Sequence, residues 1–283
     1  MKLIHQKDAL IPLVKERRTP AKIVGFVPTM GALHQGHFSL ISKARSESDL
    51  VVVSIFVNPT QFDNPDDLEN YPKNLDKDMQ KLKDRFENLI IFAPDIQEIY
   101  GTLPKAEHFE FGILTHKMEG KSRDGHFDGV GTVLKKLFEI VRPDKAFFGE
   151  KDYQQLVIVK KLVQLLDLDI DIIGCPIKRE ANGLARSSRN KRLTGQQREQ
   201  AALLYQSLQK AKRQFGTKRI VDIVADIKMD FERHPEFELV YFEIADADTL
   251  ATVQTVEKNK KYRAFVAVYI GKEVRLIDNM ALN

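Results

Sequence analysis

Between residues 23 and 44 an apolar run gives way to a helical pattern within about ten residues, and that change of period commits the chain to an α/β fold built around a strand–turn–helix. Ile23 to Val27 is β-branched and aromatic around Gly25, the composition of a strand. Pro28 lacks the N–H that a ladder uses and is expected to end it. Phe38, Leu40, Ile41 and Ala44 then recur at helical spacing. The turn between them reads Pro28-Thr-Met-Gly-Ala-Leu-His-Gln-Gly-His37. Gly31 and Gly36 permit close backbone approach, and the helix start offers unpaired N–H groups and about half a positive charge. Anions bind at such places. His34 and His37 stand beside that start, suited to donating hydrogen bonds to phosphate oxygens.

Taken alone, a His-x-x-His pair fits an ordinary loop as well as a site. Zinc has little in its favour, because there is no His-Glu-x-x-His and Cys175 is the sole cysteine. The standard phosphate loops fail on their glycines. Gly120-Lys-Ser122 has Thr115 where the first glycine belongs, and Gly129-Val-Gly131 lacks the third glycine of a dinucleotide fingerprint. What remains is a His-x-Gly-His turn after the first strand, which resembles the class I aminoacyl-tRNA synthetase and nucleotidylyltransferase superfamily.

A chain of 283 residues has room for one large domain and a smaller one. Its 44 basic and 40 acidic residues leave a net charge of +4, a mixed surface compatible with anionic substrates and without the basic stripe that nucleic acid would call for. No apolar span reaches 18 residues, and Met1 to Arg18 carries charges through its apolar positions. With a single cysteine, this reads as a cytoplasmic protein that binds neither nucleic acid nor membrane.

In chain order, residues 3–18 read as an amphipathic helix with Leu3, Leu10, Leu13 and Val14 inward, interrupted near Pro12. Leu50 to Val57 is a continuous apolar run, typical of a buried parallel strand, and it ends in Asn58-Pro-Thr-Gln61. Those two amides stand at a strand's carboxyl end, where open α/β sheets bind ligands, though an Asn-Pro turn alone would look the same. Residues 63–72 form an acidic loop, 74–86 a helix, 89–93 a strand and 107–115 an alternating edge strand. A glycine-rich loop from Ser122 leads into a helix from Gly131 to Val141; Arg123 and His126 in it either face phosphates or are simply solvated. Lys145 to Phe148 is a strand ending in Gly149-Glu-Lys-Asp152, and Tyr153 to Leu166 a helix carrying Gln155 in its first turn. The Lys151–Asp152 pair is either an exposed charge pair or a phosphate ligand beside a Mg²⁺ or ribose ligand. A last strand spans 169–174. The expected architecture is a Rossmann-like, doubly wound parallel sheet over 1–176 and a small α+β domain over 177–283, with helices at 195–214 and 218–232 and strands near 238–244, 263–270 and 274–277. Arg186-Ser-Ser-Arg189 packs two guanidinium groups and two hydroxyls into four residues, a basic loop suited to triphosphate oxygens.

Read together, the histidine turn, Phe56-Val-Asn-Pro-Thr-Gln-Phe62, Tyr71-Pro72, Gly125-His-Phe127, Phe148-Gly-Glu-Lys-Asp-Tyr-Gln-Gln155, Ser187-Ser-Arg-Asn190, Asp246-Ala-Asp-Thr-Leu250 and Arg275-Leu-Ile-Asp-Asn279 resemble the pantothenate synthetase family. The resemblance implies an ATP-dependent ligation of pantoate and β-alanine to pantothenate through a pantoyl adenylate, releasing pyrophosphate and AMP, with Mg²⁺ and in a homodimer. It implies that Met30, Gly31, Ala32, Leu33, His34, Gln35, Gly36 and His37 contact ATP, joined by Gly149, Glu150, Lys151, Asp152, Lys178, Arg186, Ser187, Ser188 and Arg189. His34, His37, Lys151 and Arg189 would act on the transferring phosphate. Gln61 and Gln155 would hold pantoate, and Asn58 would help place β-alanine. Metal ligands and the base for the β-alanine ammonium are not identified by it. Arg186 and Lys178 depart from the family's usual residues, the latter at a position where the backbone meets adenine. A nucleotidylyltransferase acting on a phosphate ester would need a second basic site in place of the Asn58 and Gln61 amides.

Overall fold

The computed structural model describes residues 1–63, 65–271 and 274–283. They divide into two compact units, one made of 1–150 and 155–176, the other of 151–154 and 177–283.

The first unit runs β1 (Lys2–Ile4), α1 (Lys7–Arg17), β2 (Val24–Thr29), α2 (Gln35–Glu47), β3 (Leu50–Ile55), α3 (Pro65–Glu69), α4 (Leu75–Lys83), β4 (Leu89–Phe92), α5 (Ile96–Tyr100), α6 (Met118–Ser122), α7 (His126–Val141), β5 (Lys145–Gly149), α8 (Tyr153–Leu165) and β6 (Asp171–Cys175). The six strands are parallel, in the order β1-β4-β3-β2-β5-β6. The chain thus builds outward from β2 through β3 to β4, then returns to lay β5 and β6 on the other side, so the strand order reverses between β2 and β5. Ligand crevices form at the carboxyl ends of strands at such a switch. Leu50 to Val53 are all buried, as a strand covered on both faces must be. Phe38, Ile41 and Ala44 of α2 share a core with Val53, Leu82, Ile91 and Phe147.

Several expected elements take another form. Leu3 is exposed and lies in β1, an edge strand paired with β4, while Leu10, Leu13 and Val14 are buried on α1, which passes through Pro12 unbroken. β2 continues through Pro28 to Thr29, in register with Ser54 and Ile55 of β3. That is tolerated because the peptide groups of Val24, Phe26 and Pro28 face β5, as the Asp144 N–H bond to the Val24 carbonyl shows, and pairing with β5 stops at Phe26. The absent donor has no ladder to serve.

The edge strand expected over 107–115 is absent. Glu107 N donates to Thr132 Oγ1 and Phe109 N to Asp128 Oδ1, so α7 side chains satisfy the backbone that a neighbouring strand would otherwise take, and 112–116 is a 3₁₀ turn. The glycine-rich loop is shorter than its composition suggests, since α7 begins at His126 and takes in Gly129 and Gly131. Gly129 sits against the 58–61 turn, where an added Cβ would lie 2.1 Å from the Thr60 carbonyl oxygen. Within the acidic loop α3 forms; Asn64 lies outside the described residues. The final strand of this unit is shifted to Asp171–Cys175.

In the second unit α9 (Gly195–Gln200), α10 (Ala202–Gln214) and α11 (Ile220–Glu232) precede β7 (Phe237–Asp246), β8 (Tyr262–Ile270) and β9 (Val274–Ala281), an antiparallel sheet in that order. Thr194 and Gln197 form a capping box at α9, and a break at Ala201 divides what periodicity presents as one helix. β9 runs to Ala281, longer than expected, because its residues pair with β8 along their whole length. Leu204, Leu208, Ile223 and Ile227 of the helices meet Phe242, Ile244, Ala264 and Val266 of the sheet in one core.

Candidate functional site

The turn after β2 carries two consecutive left-handed residues, Gly31 (φ 81°) and Ala32 (φ 51°). Ala32 bears a Cβ there at a cost of roughly 1–2 kcal/mol, so surrounding contacts must hold it. They are specific. Gly31 N donates to Thr29 Oγ1, which itself donates to the Ser54 carbonyl at 2.7 Å. Asp78 of α4, 2% exposed, accepts from Leu33 N at 2.9 Å, and Lys81 one turn on donates to the Leu33 carbonyl (2.9 Å) and to the same carboxylate oxygen (3.2 Å). Leu33 thus has its side chain in the core and both backbone groups engaged by α4. Sequence reasoning missed Asp78 and Lys81. An aspartate next to Met79 on the buried face of an amphipathic helix was the available signal.

His34 caps α2. Its Nδ1 accepts from Gly36 N at 3.1 Å, and His37 Nδ1 accepts from His34 N at 3.3 Å; the rings stack with centroids 4.0 Å apart. Since both Nδ1 atoms accept, each neutral ring carries its proton on Nε2. The backbone therefore fixes two Nε2–H donors at the N-terminus of a 13-residue helix, beside the sheet's switch point. Met30 opens the turn after β2, and Gln35 to His37 are the first residues of α2.

Gln61 ends the short 3₁₀ turn that follows β3 and is 8% exposed. Asn58, 1% exposed, donates from Nδ2 to Gln61 Oε1 (3.0 Å) and the Gly129 carbonyl (3.1 Å). Its Oδ1 accepts from Tyr100 OH (2.6 Å), Thr60 Oγ1 (3.0 Å) and Thr60 N (3.4 Å). Every polar position of Asn58 is thus engaged inside the fold. Because Nδ2 must face a carbonyl and Oδ1 the hydroxyls, the amide has one orientation, and Gln61 must turn its Oε1 inward and its Nε2 outward. Burial raises the Tyr100 phenol above its ordinary value, against the opposing Thr60 bond, and keeps it a donor.

The Gln61 carbonyl is gripped from α7 and the loop before it. His126 Nδ1 donates to it at 2.7 Å and Arg123 Nη2 at 3.3 Å, while Arg123 Nη1 meets His126 Nε2 at 3.2 Å and Arg123 Nε meets Asp63. Burial, with the neighbouring Arg123 charge, pushes His126 down to about 4, so the ring is neutral at neutral pH, donating from Nδ1 and accepting at Nε2. Arg123 and His126 serve Gln61 through its backbone. At the other side of the switch, Gly149 closes β5 against Cys175, Glu150 follows, and Gln155 lies half-buried in the first turn of α8.

In the second unit Lys151 Nζ donates to Asp152 Oδ1 at 3.1 Å; Lys151 is largely covered and Asp152 half exposed. Residues 178–186 fold back on themselves. Arg186 N donates to the carbonyl of exposed Lys178 at 2.9 Å, and Arg179 bridges Ala185. Ser187 caps the next turn by accepting from Arg189 N at 3.2 Å, which places Ser188 and Arg189 in its first residues. Asn190 ties that turn to the Ala185 carbonyl and to Glu180, whose carboxylate receives both arms of Arg198 (2.7 and 2.6 Å) and is held below the usual range by that bond. Among the described residues no group of three His, Cys, Asp or Glu could hold a metal ion, and no helix is long and apolar enough to cross a membrane.

The family model for pantoate-β-alanine ligases matches residues 2–281. The chain belongs to the pantoate-β-alanine ligase family. A pantothenate synthetase of Christiangramia forsetii is 50% identical over 283 residues, covering all of both chains, and one of Flavobacterium psychrophilum is 51% identical over 276 residues, 98% of this chain and 96% of that one. The crystal structure of pantothenate synthetase from Thermus thermophilus superposes with a TM-score of 0.90 at 36% identity, covering 100% of this chain and 99% of the other. A Francisella tularensis pantoate-β-alanine ligase, complexed with β,γ-ATP and β-alanine, gives 0.81 at 38%, covering 100% and 98%.

Two of the stretches that resemble this family do structural work. Asp246 Oδ1 accepts from Asp248 N, Thr249 N and Thr249 Oγ1, a turn that ends β7 and leaves Leu250 left-handed at φ 56°. Asp278 receives two bonds from Arg179 (2.5 and 3.1 Å) and one from Asn279 N.

Proposed function

We propose that the chain joins pantoate to β-alanine in two half-reactions. A pantoate carboxylate oxygen attacks the α-phosphorus of ATP and pyrophosphate leaves; the β-alanine ammonium then loses one proton to become the amine that attacks the acyl carbon, AMP leaves, and the nitrogen loses a second proton to give the amide. A bare carboxylate has oxide as its leaving group, so adenylation splits one difficult step into two feasible ones. The observation that carries the reading is the stacked His34–His37 pair with both Nδ1 atoms bonded to backbone, which sets the N–H of each neutral ring on Nε2 at a helix start.

In this reading Met30 to His37 bind ATP, with His34 and His37 donating to its phosphates and Leu33 acting through its packing. Gly149 to Asp152, Lys178 and Arg186 to Arg189 bind ATP as well, and Lys151 and Arg189 neutralise charge on the transferring group. Lys178 would act through its backbone N–H, since its carbonyl already accepts from Arg186 N. Gln61, donor outward, and Gln155 take pantoate oxygens. Asn58 contributes by holding Gln61, a role its hydrogen bonds favour over direct contact with β-alanine. Mg²⁺ would travel with the ATP phosphates, which suits an ion needing one or two carboxylates plus substrate oxygens; Asp152 offers one. Bound there, it would neutralise phosphate charge. The reading includes a homodimer, which rests on the family resemblance, and a cytoplasmic location, which rests on the composition.

The test is isotope exchange. Labelled pyrophosphate should enter ATP when pantoate is present and β-alanine is not. Exchange that needs β-alanine would refute a free adenylate, and exchange without pantoate would refute the substrate.

A further inference from the structure

The turn bearing Lys151 follows β5 of the first unit, yet residues 151–154 are packed with the second. What holds them there is a short chain of buried polar groups. Asn279 on β9, 2% exposed, donates from Nδ2 to the Lys151 carbonyl at 2.8 Å. Its Oδ1 accepts from Arg263 Nη1, and the Arg263 guanidinium lies 3.9 Å from the centre of the Tyr153 ring, which also meets Phe265. Asn279 is fixed in turn, because its own N–H donates to Asp278 Oδ1 at 2.8 Å and Asp278 is clamped by both arms of Arg179, itself stacked 4.3 Å from the Tyr205 ring centre. The amide orientation is unambiguous, since a guanidinium faces Oδ1 and a carbonyl faces Nδ2.

We propose that Asn279 is a positioning residue for Lys151: it holds the Lys151 carbonyl while Arg263, bound to the same amide, lies over the Tyr153 ring two residues on, and together they set where the Lys151 ammonium stands. The ion pair with Asp152 does not fix the ammonium independently, because Asp152 is its neighbour in sequence, half exposed, and moves with the same backbone. A lysine ammonium ends a flexible stem roughly 6 Å from its Cα, so a tilt of about 15° at the backbone moves it about 1.5 Å, and misplacement near 1 Å can cost on the order of 10²-fold in rate. The inference rests on the reading of Lys151 as a group that neutralises the transferring phosphate.

The experiment is a double-mutant cycle read by pantoate-dependent pyrophosphate exchange. Asn279→Ala removes the bond to Lys151 and should lower the maximal exchange rate about 10- to 100-fold, with the ATP KM changed less than about threefold. Asn279→Asp keeps the acceptor for Arg263 but loses the donor to Lys151, and should be as slow. Combined with Lys151→Ala, either variant should be no slower than Lys151→Ala alone. Melting curves report whether each variant is folded. Multiplied losses in the double variant would overturn the positioning role while leaving Lys151 in place, as would a normal rate for folded Asn279→Ala. Full activity of Lys151→Ala would overturn the reading of the lysine and this inference with it.

Discussion

Replacing Gly129 by alanine tests how tightly α7 and the turn after β3 are bound to the pantoate candidate Gln61. The new Cβ would lie 2.1 Å from the Thr60 carbonyl oxygen, whereas ordinary contact begins near 3.4 Å, so helix and turn must part by about 1.3 Å, the difference between the two. That movement stretches the 3.1 Å bond from Asn58 Nδ2 to the Gly129 carbonyl past any useful length. A lost buried bond costs about 1–3 kcal/mol and overpacking about 1–3 kcal/mol, while alanine returns about 1 kcal/mol of helix propensity. The net is about 1–5 kcal/mol, equivalent to a fall in melting temperature of roughly 2–20 °C. Asn58 also holds Gln61 Oε1, so the pantoate KM in the exchange assay should rise about tenfold, the value of one such bond, with the ATP KM little changed. Gly125→Ala is the control: that residue is left-handed with open space around it, and alanine there should cost only about 1–2 kcal/mol and leave the pantoate KM alone. A Gly129→Ala protein that melts within 2 °C of the parent, on the roughly 2–4 °C per kcal/mol scale, and keeps its pantoate KM would refute the reasoning.

Gln61→Glu should bind pantoate poorly at pH 8, where an outward carboxylate oxygen replaces an N–H donor and faces the anionic pantoate, while His126 and Arg123 still hold the backbone carbonyl of residue 61. Parent-like affinity at pH 8 would show the amide to be reversed. His126 is held near 4 when folded and returns to about 6.5 when unfolded, so between those values the unfolded chain binds more protons and stability falls on acidification, by up to about 3 kcal/mol. Above pH 6.5 the penalty vanishes. Unfolding measured from pH 7 to 4 should therefore show a shallower acid slope for His126→Gln; parallel slopes would refute this origin.

Elements with a strong single period were legible, and those held by side chains from elsewhere were not. Leu50 to Val53 could only be a buried strand, and the Thr194–Gln197 spacing marks a helix start. Residues 107–115 alternate like an edge strand, but their N–H groups go to Thr132 and Asp128, a pairing invisible until α7 is placed. Gly129 and Gly131 have the composition of a loop and the position of a packing seam, because a glycine permits a turn and a close approach equally. The site divided likewise. The histidine turn was readable from local pattern, whereas the brace from Asp78 and Lys81, 45 and 48 residues away from Leu33, and the Tyr100 bond to Asn58 depend on tertiary approach. Asn58 shows why such a reading stays open in sequence: an amide at a strand end suits a substrate and an internal brace equally, and only the fold shows its bonds to Gln61, Gly129 and Tyr100.

Pro28 bears on how a parallel sheet can open without penalty. Where two paired strands separate, each residue that faced the vacated side is left with an amide hydrogen needing water or another acceptor, and in a largely buried position neither comes easily. β2 leaves β5 after Phe26, and the next residue to point that way is the one residue type with no amide hydrogen. The parting of the strands is written into the covalent chemistry of the chain. Any other residue at position 28 would bring a stray donor to the mouth of the crevice and, with it, a reason for the two strands to close.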